Sequence, residues 1–480
     1  MNNNFKINTI PKSFLQISYG SLVLASLFIL IINILKLHSN VFYSNYTLFL
    51  FFIFSIFTYK IALENTVETF ILSFTLVTAF SQRIIITYFI PDSIDYQTKL
   101  EFTYYELEYA MLFLTLCIGT SLLGFLIARK YSFKIPHTNP LVKNKYINFF
   151  FLKFRIIRFL KSVIWFYIIL VILKAFIMFV LGVGFTGVVH NSDQTLLHWF
   201  STRSIVLKDY ALLGVLILLF EKKIKSLAKV FFAFYFFESI LAASRSILLS
   251  IFQSLVIIYY ILKKEIKLKY ILFSILVVAI IGGASFVLIT MIREYFISGN
   301  FDFEFNSIVL LISRSFSQFE PLLLWMEMPV ELYSSSVGFF PDLVAFVNSF
   351  YIGDLILDNE RVNLGKLMVQ YGRQTDFNIF NLGGHAENAG PFGITFIYLG
   401  LLGGAIYWFV QSVILTTLMN SEIHSLWKFI FITFFAFGPS YYLYTNIVFL
   451  IQPLIILGFG LMLFDFLNKI IGNNSYFLKK

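Results

Sequence analysis

The chain has 480 residues, of which 59% are hydrophobic and only 13% are charged. Soluble domains are about half apolar and about a quarter charged, so this composition excludes an ordinary soluble fold. The formal net charge of +10 comes largely from short basic segments between apolar runs, which is the positive-inside pattern of membrane proteins. The charge is therefore no argument for a nucleic-acid partner, and we expect none.

Apolar runs close to the length of about 20 residues that crosses a bilayer as helix recur along the whole chain. They predict an all-α polytopic membrane protein with about twelve transmembrane helices. The runs cover residues 17–36, 44–60, 67–90, 107–128, 162–182, 205–220, 227–243, 246–262, 270–291, 390–416, 427–440 and 446–467. Three regions follow: helices 1–9 in residues 1–290, one large loop in 291–389, and helices 10–12 in 390–480.

The segment from Arg129 to Lys161 sets the direction of every predicted crossing. It contains nine lysines and arginines and no acid, and such a bias places a short loop in the cytoplasm. Counting crossings from it puts both termini in the cytoplasm. The same count puts residues 90–106 and the large loop on the opposite side of the membrane.

Two stretches of the large loop have helical patterns. Residues 305–327 carry apolar residues at helical spacing, interrupted by Pro321, and residues 341–355 begin with Pro341 at a favoured first helical position. Both stretches fit either of two arrangements. They lie along the membrane surface with the apolar face down, or they cap the helix bundle.

Several charged residues fall within predicted spans or at their ends, where burial is costly and usually functional. For Lys174 two interpretations stay open: its amine reaches the interface, or it pairs inside the bundle. Arg245 stands at a predicted tight turn between two spans. It is placed either to grip a lipid phosphate through its guanidinium or to sit at the interface as an ordinary arginine. The set is Arg83, Lys174, Lys208, Asp209, Glu238 and Arg245.

Arginines also occur in the predicted extracytoplasmic segments, where topology gives no reason for them. Each either pairs with one of the loop's many acids or belongs to a surface that binds a diphosphate-linked lipid. They are Arg203, Arg293, Arg314, Arg361 and Arg373.

The large loop closes on NLGGHAENAGPFG, which holds His385 and Glu387 just before the next span. Either side chain can take a proton from a sugar hydroxyl as a positioned general base, with Glu320 as a third candidate. The alternative is a polar turn at the membrane interface. We expect the glycines at 393, 400, 403 and 404 to be contacts between packed helices.

No nucleotide-binding motif and no close cysteine and histidine cluster occurs in the chain. The single cysteine, Cys117, lies in an apolar run and is expected to pack as a small hydrophobe. The acids of FDFEF at 301–305 are two apart, but they do not favour a metal site. We expect neither a metal nor another cofactor.

Three of these segments together resemble the Wzy-type O-antigen polymerases, which polymerise oligosaccharide repeat units. AASRSILLSIF matches that family's small–small–Ser–Arg turn at Arg245. SRSFSQFEPLLLWME and SVGFFPDLVAFV resemble the start of its large outside loop, with Arg314 as the loop's arginine. AENAGPFGITFIYLGLLGGAIYWF resembles the glycine-rich entry into the next span. RVNLGKLMVQYG is a weaker match to a pattern found in loops of some such polymerases. The resemblance as a whole covers residues 238–465.

The resemblance implies a GT-C-like bundle of the O-antigen polymerase and ligase type in the bacterial inner membrane. The implied partners are undecaprenyl-diphosphate-linked glycans, membrane lipid and a chain-length regulator protein. A hydroxyl of one repeat unit attacks the anomeric carbon of the growing chain, and undecaprenyl diphosphate leaves without help from a metal. The arginines would stabilise the diphosphate, and Glu387, His385 or Glu320 would accept the proton. An O-antigen ligase and a lipid-linked oligosaccharide flippase are the alternatives.

Overall fold

A computed structural model describes residues 10–37, 43–64, 66–90, 104–131, 153–180, 211–212, 214–215, 218, 225–241, 319–333 and 390–420. The elements bounded in these residues are all helical. They are α1 Lys12–Ile34, α2 Asn45–Leu63, α3 Val67–Leu76, a π-helical turn Val77–Ser81, α4 Gln82–Phe89, α5 Tyr104–Lys130, α6 Lys153–Val180, α7 Lys225–Leu241, α8 Phe319–Glu327, α9 Val330–Tyr333 and α10 Gly390–Asn420.

Six helical segments in the described residues are long and apolar enough to cross a membrane. They are Lys12–Ile34, Asn45–Leu63, Leu72–Phe89, Tyr105–Lys130, Leu160–Val180 and Phe392–Thr417. Their outward surfaces are apolar too, with Phe179 85% exposed and Ile17 and Leu402 each 73% exposed. Large exposed apolar surfaces of this kind are typical of helices in a membrane, and the prediction of a helical membrane protein is confirmed at this level.

The remaining predicted spans are shorter in the described residues or lie outside them. Helix α7, at 17 residues, corresponds to the short predicted span 227–243. Only a few residues of 205–220 are described. The predicted spans 246–262, 270–291, 427–440 and 446–467 lie outside the described residues, as does most of the predicted large loop.

The chain packs as two compact units. Unit 1 comprises Met1–Lys134 and Tyr259–Asn446, and unit 2 comprises Ile135–Ile258 and Ile447–Lys480. This is a division by packing, whereas the sequence divides the chain by topology at residues 290 and 390. Helices α1–α5 and α8–α10 belong to unit 1, and α6 and α7 belong to unit 2.

Local capping explains where two helices of unit 1 begin. The Ser44 hydroxyl accepts a hydrogen bond from the Thr47 backbone N–H at the start of α2. Thr66 and Thr69 form a reciprocal capping box at the start of α3. Such caps satisfy backbone N–H groups that have no partner within the helix. Predicted span 67–90 is thus a helix that begins at a cap and is interrupted once by a π-helical turn.

Helices α5 and α10 form the central pair of unit 1 and run in the same direction. The Phe396 ring lies 5.8 Å from the ring of Tyr109 and 5.3 Å from the ring of Phe113, centroid to centroid. Further along both helices, the Thr120 hydroxyl donates a hydrogen bond to the Ala405 carbonyl at 2.8 Å. The common direction agrees with the predicted crossing order, in which the chain enters both spans from the same side of the membrane.

Close approach of the two helices depends on small residues. A Cβ atom added at Gly404 would meet the Phe113 ring at 2.6 Å, so this glycine is the packing contact that the sequence predicts. Gly400 is different, because a Cβ atom added there would have no neighbouring atom within 4 Å. Its φ of 65° and ψ of −164° interrupt α10, and such a positive φ favours glycine. The prediction was wrong for Gly400, which makes a kink rather than a contact.

Helix α8 comes from the predicted large loop and is buried inside unit 1. Leu322, Leu323, Leu324 and Trp325, four successive residues, are at most 3% exposed. Four successive buried positions cover all sides of a helix, whereas a helix lying on the membrane surface buries one face only. The sequence left open a helix along the membrane surface or a cap on the bundle, whereas α8 is buried and packs against α5 and α10.

Candidate functional site

The end of unit 1 where α5 and α10 begin, at Tyr104 and Gly390, is called the entry end here. Helix α2 also begins there. Ser44, just before α2, contacts Glu108 near the start of α5, and Leu50, further along α2, contacts Thr115 further along α5. Arg129 and Glu64 form an ion pair at the opposite end. The entry end is thus defined by contacts within one unit.

Asn33, near the end of α1, joins three elements at the entry end. Its amide nitrogen donates to the Asn45 side-chain oxygen at 3.0 Å and to the Tyr43 carbonyl at 3.5 Å. Its amide oxygen accepts a hydrogen bond from the Tyr88 hydroxyl at 3.3 Å. The amide therefore fixes the ends of α1 and α4 against the start of α2.

Two short hydrogen bonds extend this network toward α4 and α5. The hydroxyls of Tyr43 and Thr87 are 2.5 Å apart and buried. The Ser44 hydroxyl, which caps α2, donates to a Glu108 carboxylate oxygen at 2.5 Å. Hydrogen bonds to a carboxylate are strong. The bond from Ser44 therefore holds the Glu108 side chain against the start of α2, which is a structural role.

Arg83 lies one helical turn below this network on α4, and its side chain is only 1% exposed. The Thr87 hydroxyl also donates to the Arg83 carbonyl at 2.8 Å. The π-helical turn Val77–Ser81 immediately precedes this stretch, and such turns are frequent at functional sites. Arg83 is thus a buried arginine close to the entry end of unit 1.

Glu327 ends α8 and is half-buried. Burial, and after it the negative charge of Glu106 at the start of α5, raise the pKa of the Glu327 carboxyl above its ordinary value. Desolvation and a like charge both favour the neutral acid. A carboxyl of this kind holds a proton at higher pH than an exposed glutamate, which is useful for proton transfer.

Unit 2 contains a second polar group, between α6 and α7. The Lys174 amine lies 3.5 Å from one carboxylate oxygen of Glu238, and both side chains are 1% exposed. The Tyr167 hydroxyl donates to the other oxygen at 2.5 Å. Of the two interpretations of Lys174, internal pairing is the one observed. The Tyr167 ring also packs 5.4 Å from the ring of Phe231, so α6 and α7 run in the same direction.

Most of the residues predicted to act on substrate lie outside the described residues. These are the base candidates His385 and Glu387 and all six arginines, Arg203, Arg245, Arg293, Arg314, Arg361 and Arg373. The third base candidate, Glu320, belongs to α8, and its side chain is not described. His385 and Glu387 stand five and three residues before Gly390 in the sequence, where α10 begins at the entry end.

Three features of these polar groups were not predicted from the sequence. Glu327 was not predicted as a site residue, although it closes an apolar helical stretch. Glu108 was not linked to Ser44. The role of Tyr167 had a usable signal, because Tyr167 and Lys174 are seven residues apart and so share one face of a helix.

The described residues contain no group of three or more histidine, cysteine, aspartate or glutamate side chains that could hold a metal ion. Comparison of the chain with known protein families, with curated proteins and with solved structures gives no match. The resemblance to O-antigen polymerases thus stays a prediction from the quoted segments.

Proposed function

We propose that this protein polymerises undecaprenyl-diphosphate-linked oligosaccharide repeat units into a surface polysaccharide, at the extracytoplasmic face of the bacterial inner membrane. The product would be O-antigen or a related polymer. Both chain termini would lie in the cytoplasm. The substrates would be two lipid-linked glycans, with a chain-length regulator protein as a further partner.

The observation that carries the proposal is the burial of α8 between α5 and α10. This helix comes from the predicted large loop, and α10 follows that loop directly. A loop that contributes a buried helix is anchored in the helix bundle. Because it is anchored, such a loop is a suitable scaffold for a site at the membrane surface. Flippases and secondary transporters of the repeat type use short loops around a midplane cavity instead.

The chemistry that we propose breaks one bond and forms one. A sugar hydroxyl of the incoming unit attacks the anomeric carbon of the growing chain, and the bond from that carbon to the diphosphate oxygen breaks. Undecaprenyl diphosphate leaves with the bonding electrons, and Glu387 or His385 takes the hydroxyl proton. Glu320 is the reserve candidate for this role.

Positive charge near the leaving group lowers the barrier, because negative charge develops on the diphosphate in the transition state. The candidates are Arg245, Arg314, Arg361 and Arg373, with Arg293 and Arg203 after them. Arginine suits this task, since its planar guanidinium binds two phosphate oxygens at once. The sequence pattern and the family resemblance support this assignment.

Polymer ladders in cells test the proposal. Cells lacking the native gene would carry Arg245→Ala, Arg314→Ala or Glu387→Gln, at protein levels equal to the unmodified chain. We expect the ladder to collapse to a core bearing a single repeat unit. Matched controls are Lys130→Ala and Glu331→Gln, which change exposed charged residues and should keep the ladder.

Three other outcomes would contradict the proposal. Full ladders from all three variants would show that the active site was assigned to the wrong residues. Accumulation of unattached lipid-linked polymer would identify a ligase. Repeat units trapped on the cytoplasmic side, together with transport of lipid-linked units by the purified protein, would identify a flippase.

A further inference from the structure

A groove runs between α1 and α2 in unit 1. The two helices are antiparallel, because the Asn33 and Asn45 side chains meet at the entry end, whereas a Cβ atom added at Gly20, toward the opposite end, would lie 4.0 Å from the Tyr59 ring. The groove has a volume of about 600 Å³. Sites for small molecules typically measure about 300–1,000 Å³, so the groove is large enough to bind one.

The walls of the groove are apolar. Ile17 and Leu24 of α1 line it, and their side chains are 73% and 68% exposed. These two residues are two helical turns apart, so they lie on one face of α1, about 10 Å from each other along the helix axis. Ile56 lines the groove from α2. Both helices are long and apolar enough to cross a membrane, and a hydrocarbon chain is the occupant that such walls favour.

One end of the groove is polar. Gln16, close to the start of α1, and Lys60, close to the end of α2, line it there. Of the described residues that line the groove, Lys60 alone carries a charge. Glu64, one helical turn further along the chain, forms its ion pair with Arg129. A lysine at such a position packs its stem along apolar surface and extends its ammonium to the lipid head groups, so this end of the groove presents a positive charge.

We propose that this groove binds one anionic phospholipid, with an acyl chain along Ile17, Leu24 and Ile56 and the phosphate at the Lys60 ammonium. Basic side chains at the membrane surface attract anionic head groups. A helix of a second copy of the chain would be about 10 Å across and about 30 Å long, which is much larger than the groove. The site needs only the membrane helices α1 and α2, so it does not rest on the proposed function.

Lipid binding to the purified full chain in detergent tests the proposal. Native mass spectrometry of the delipidated protein would give dissociation constants for phosphatidylglycerol, which is anionic, and for phosphatidylcholine, which has no net charge. We expect the unmodified chain to bind phosphatidylglycerol more tightly. Lys60→Ala should weaken that binding about fivefold, because one lysine near the membrane surface contributes about 1 kcal/mol, and should leave phosphatidylcholine binding unchanged. The matched control Lys130→Ala removes an exposed charge at the same end of unit 1, outside the groove, and should change neither constant.

A second variant fills the groove. The nearest atom to a Cβ added at Gly20 is 4.0 Å away, so the side chain of Gly20→Leu can enter the groove. This variant should weaken the binding of both lipids several-fold, because it occupies the space of the acyl chain. Ser18→Leu is its matched control, since it adds an apolar side chain at an exposed position of α1 that does not line the groove. Thermal unfolding midpoints show whether each variant is folded.

Three results would overturn the lipid site. The first is equal binding of the two lipids by the unmodified chain, or phosphatidylglycerol binding that Lys60→Ala leaves unchanged. The second is unchanged lipid binding in a folded Gly20→Leu chain. The third is a dimer that Gly20→Leu separates into monomers, which would identify a second copy of the chain as the occupant. If Gly20→Leu does not fold, the comparison of Lys60→Ala with Lys130→Ala decides, because both lysines are exposed.

Discussion

Replacing Lys174 by methionine removes the cation of the buried pair and leaves Glu238 inside unit 2 with Tyr167 alone. A buried carboxylate without its cation is costly, because the interior does not replace the hydration that the charge loses. The expected loss in the free energy of unfolding is about 3–5 kcal/mol, the range known for removing one partner of a buried ion pair.

Replacing Glu238 by glutamine creates the opposite situation. Lys174 must then fold without its anion, so the expected loss in the free energy of unfolding is again about 3–5 kcal/mol.

The assay is denaturant unfolding of the purified protein in detergent, for the unmodified chain, both single variants and the double variant Lys174→Met/Glu238→Gln. The double variant carries neither charge, so it should be more stable than either single variant. Single variants as stable as the unmodified chain, or a double variant as unstable as the less stable single variant, would contradict a buried pair of this kind.

Three further predictions concern unit 1. Gly124→Val should lower the free energy of unfolding by about 1–3 kcal/mol through overpacking, because a Cβ at Gly124 already meets the Phe409 carbonyl oxygen at 2.6 Å. Glu327→Gln should stabilise the protein increasingly as pH rises. The pKa of Glu327 is raised, so the native carboxyl loses stability as pH passes its folded-state pKa, and thermal midpoints from pH 4 to 8 measure this. In intact cells, an impermeant thiol reagent should label Tyr105→Cys and leave Lys130→Cys unlabelled, in agreement with the predicted sidedness.

Matched controls accompany these three predictions. Gly20→Val makes the same change where the nearest atom to the added Cβ is 4.0 Å away, and it should cost much less than Gly124→Val. Glu331→Gln alters an exposed carboxyl and should leave the pH dependence of the midpoint unchanged. The parent chain should show no labelling, because Cys117 is buried. Equal effects in control and test variants, or labelling of Lys130→Cys alone, would contradict the corresponding prediction.

Long apolar runs were the part of the fold that the sequence predicted well. Helix α5 spans Tyr104–Lys130 against a predicted 107–128, and α10 spans Gly390–Asn420 against a predicted 390–416. A segment of about 20 apolar residues has few alternatives in a bilayer, because its backbone must satisfy its own hydrogen bonds. Helix existence therefore follows from composition alone.

Features that depend on partners were not predictable in this way. The pairing of Lys174 stayed open because Glu238 is 64 residues away in the sequence and meets it only in the packed unit. The kink at Gly400 was missed because a glycine that permits close packing and one that permits a positive φ look alike in a sequence. The burial of α8 was not predicted, because an apolar helix of the loop fits a membrane surface, a cap on the bundle and a buried position equally well. For the candidate site, the sequence supplied residue types, and their assembly around substrate stays a prediction.

Reconstitution tests the proposed reaction most directly. Purified protein in liposomes would receive undecaprenyl-diphosphate-linked repeat units and no nucleotide sugar. Glycan length and released undecaprenyl diphosphate would be measured together. We expect glycans of several repeat units, with one undecaprenyl diphosphate released for each new linkage, and loss of both products in Glu387→Gln or Arg245→Ala. Repeat units that stay single while fully incorporated protein moves them across the bilayer, or transfers them to a lipid A core, would contradict it.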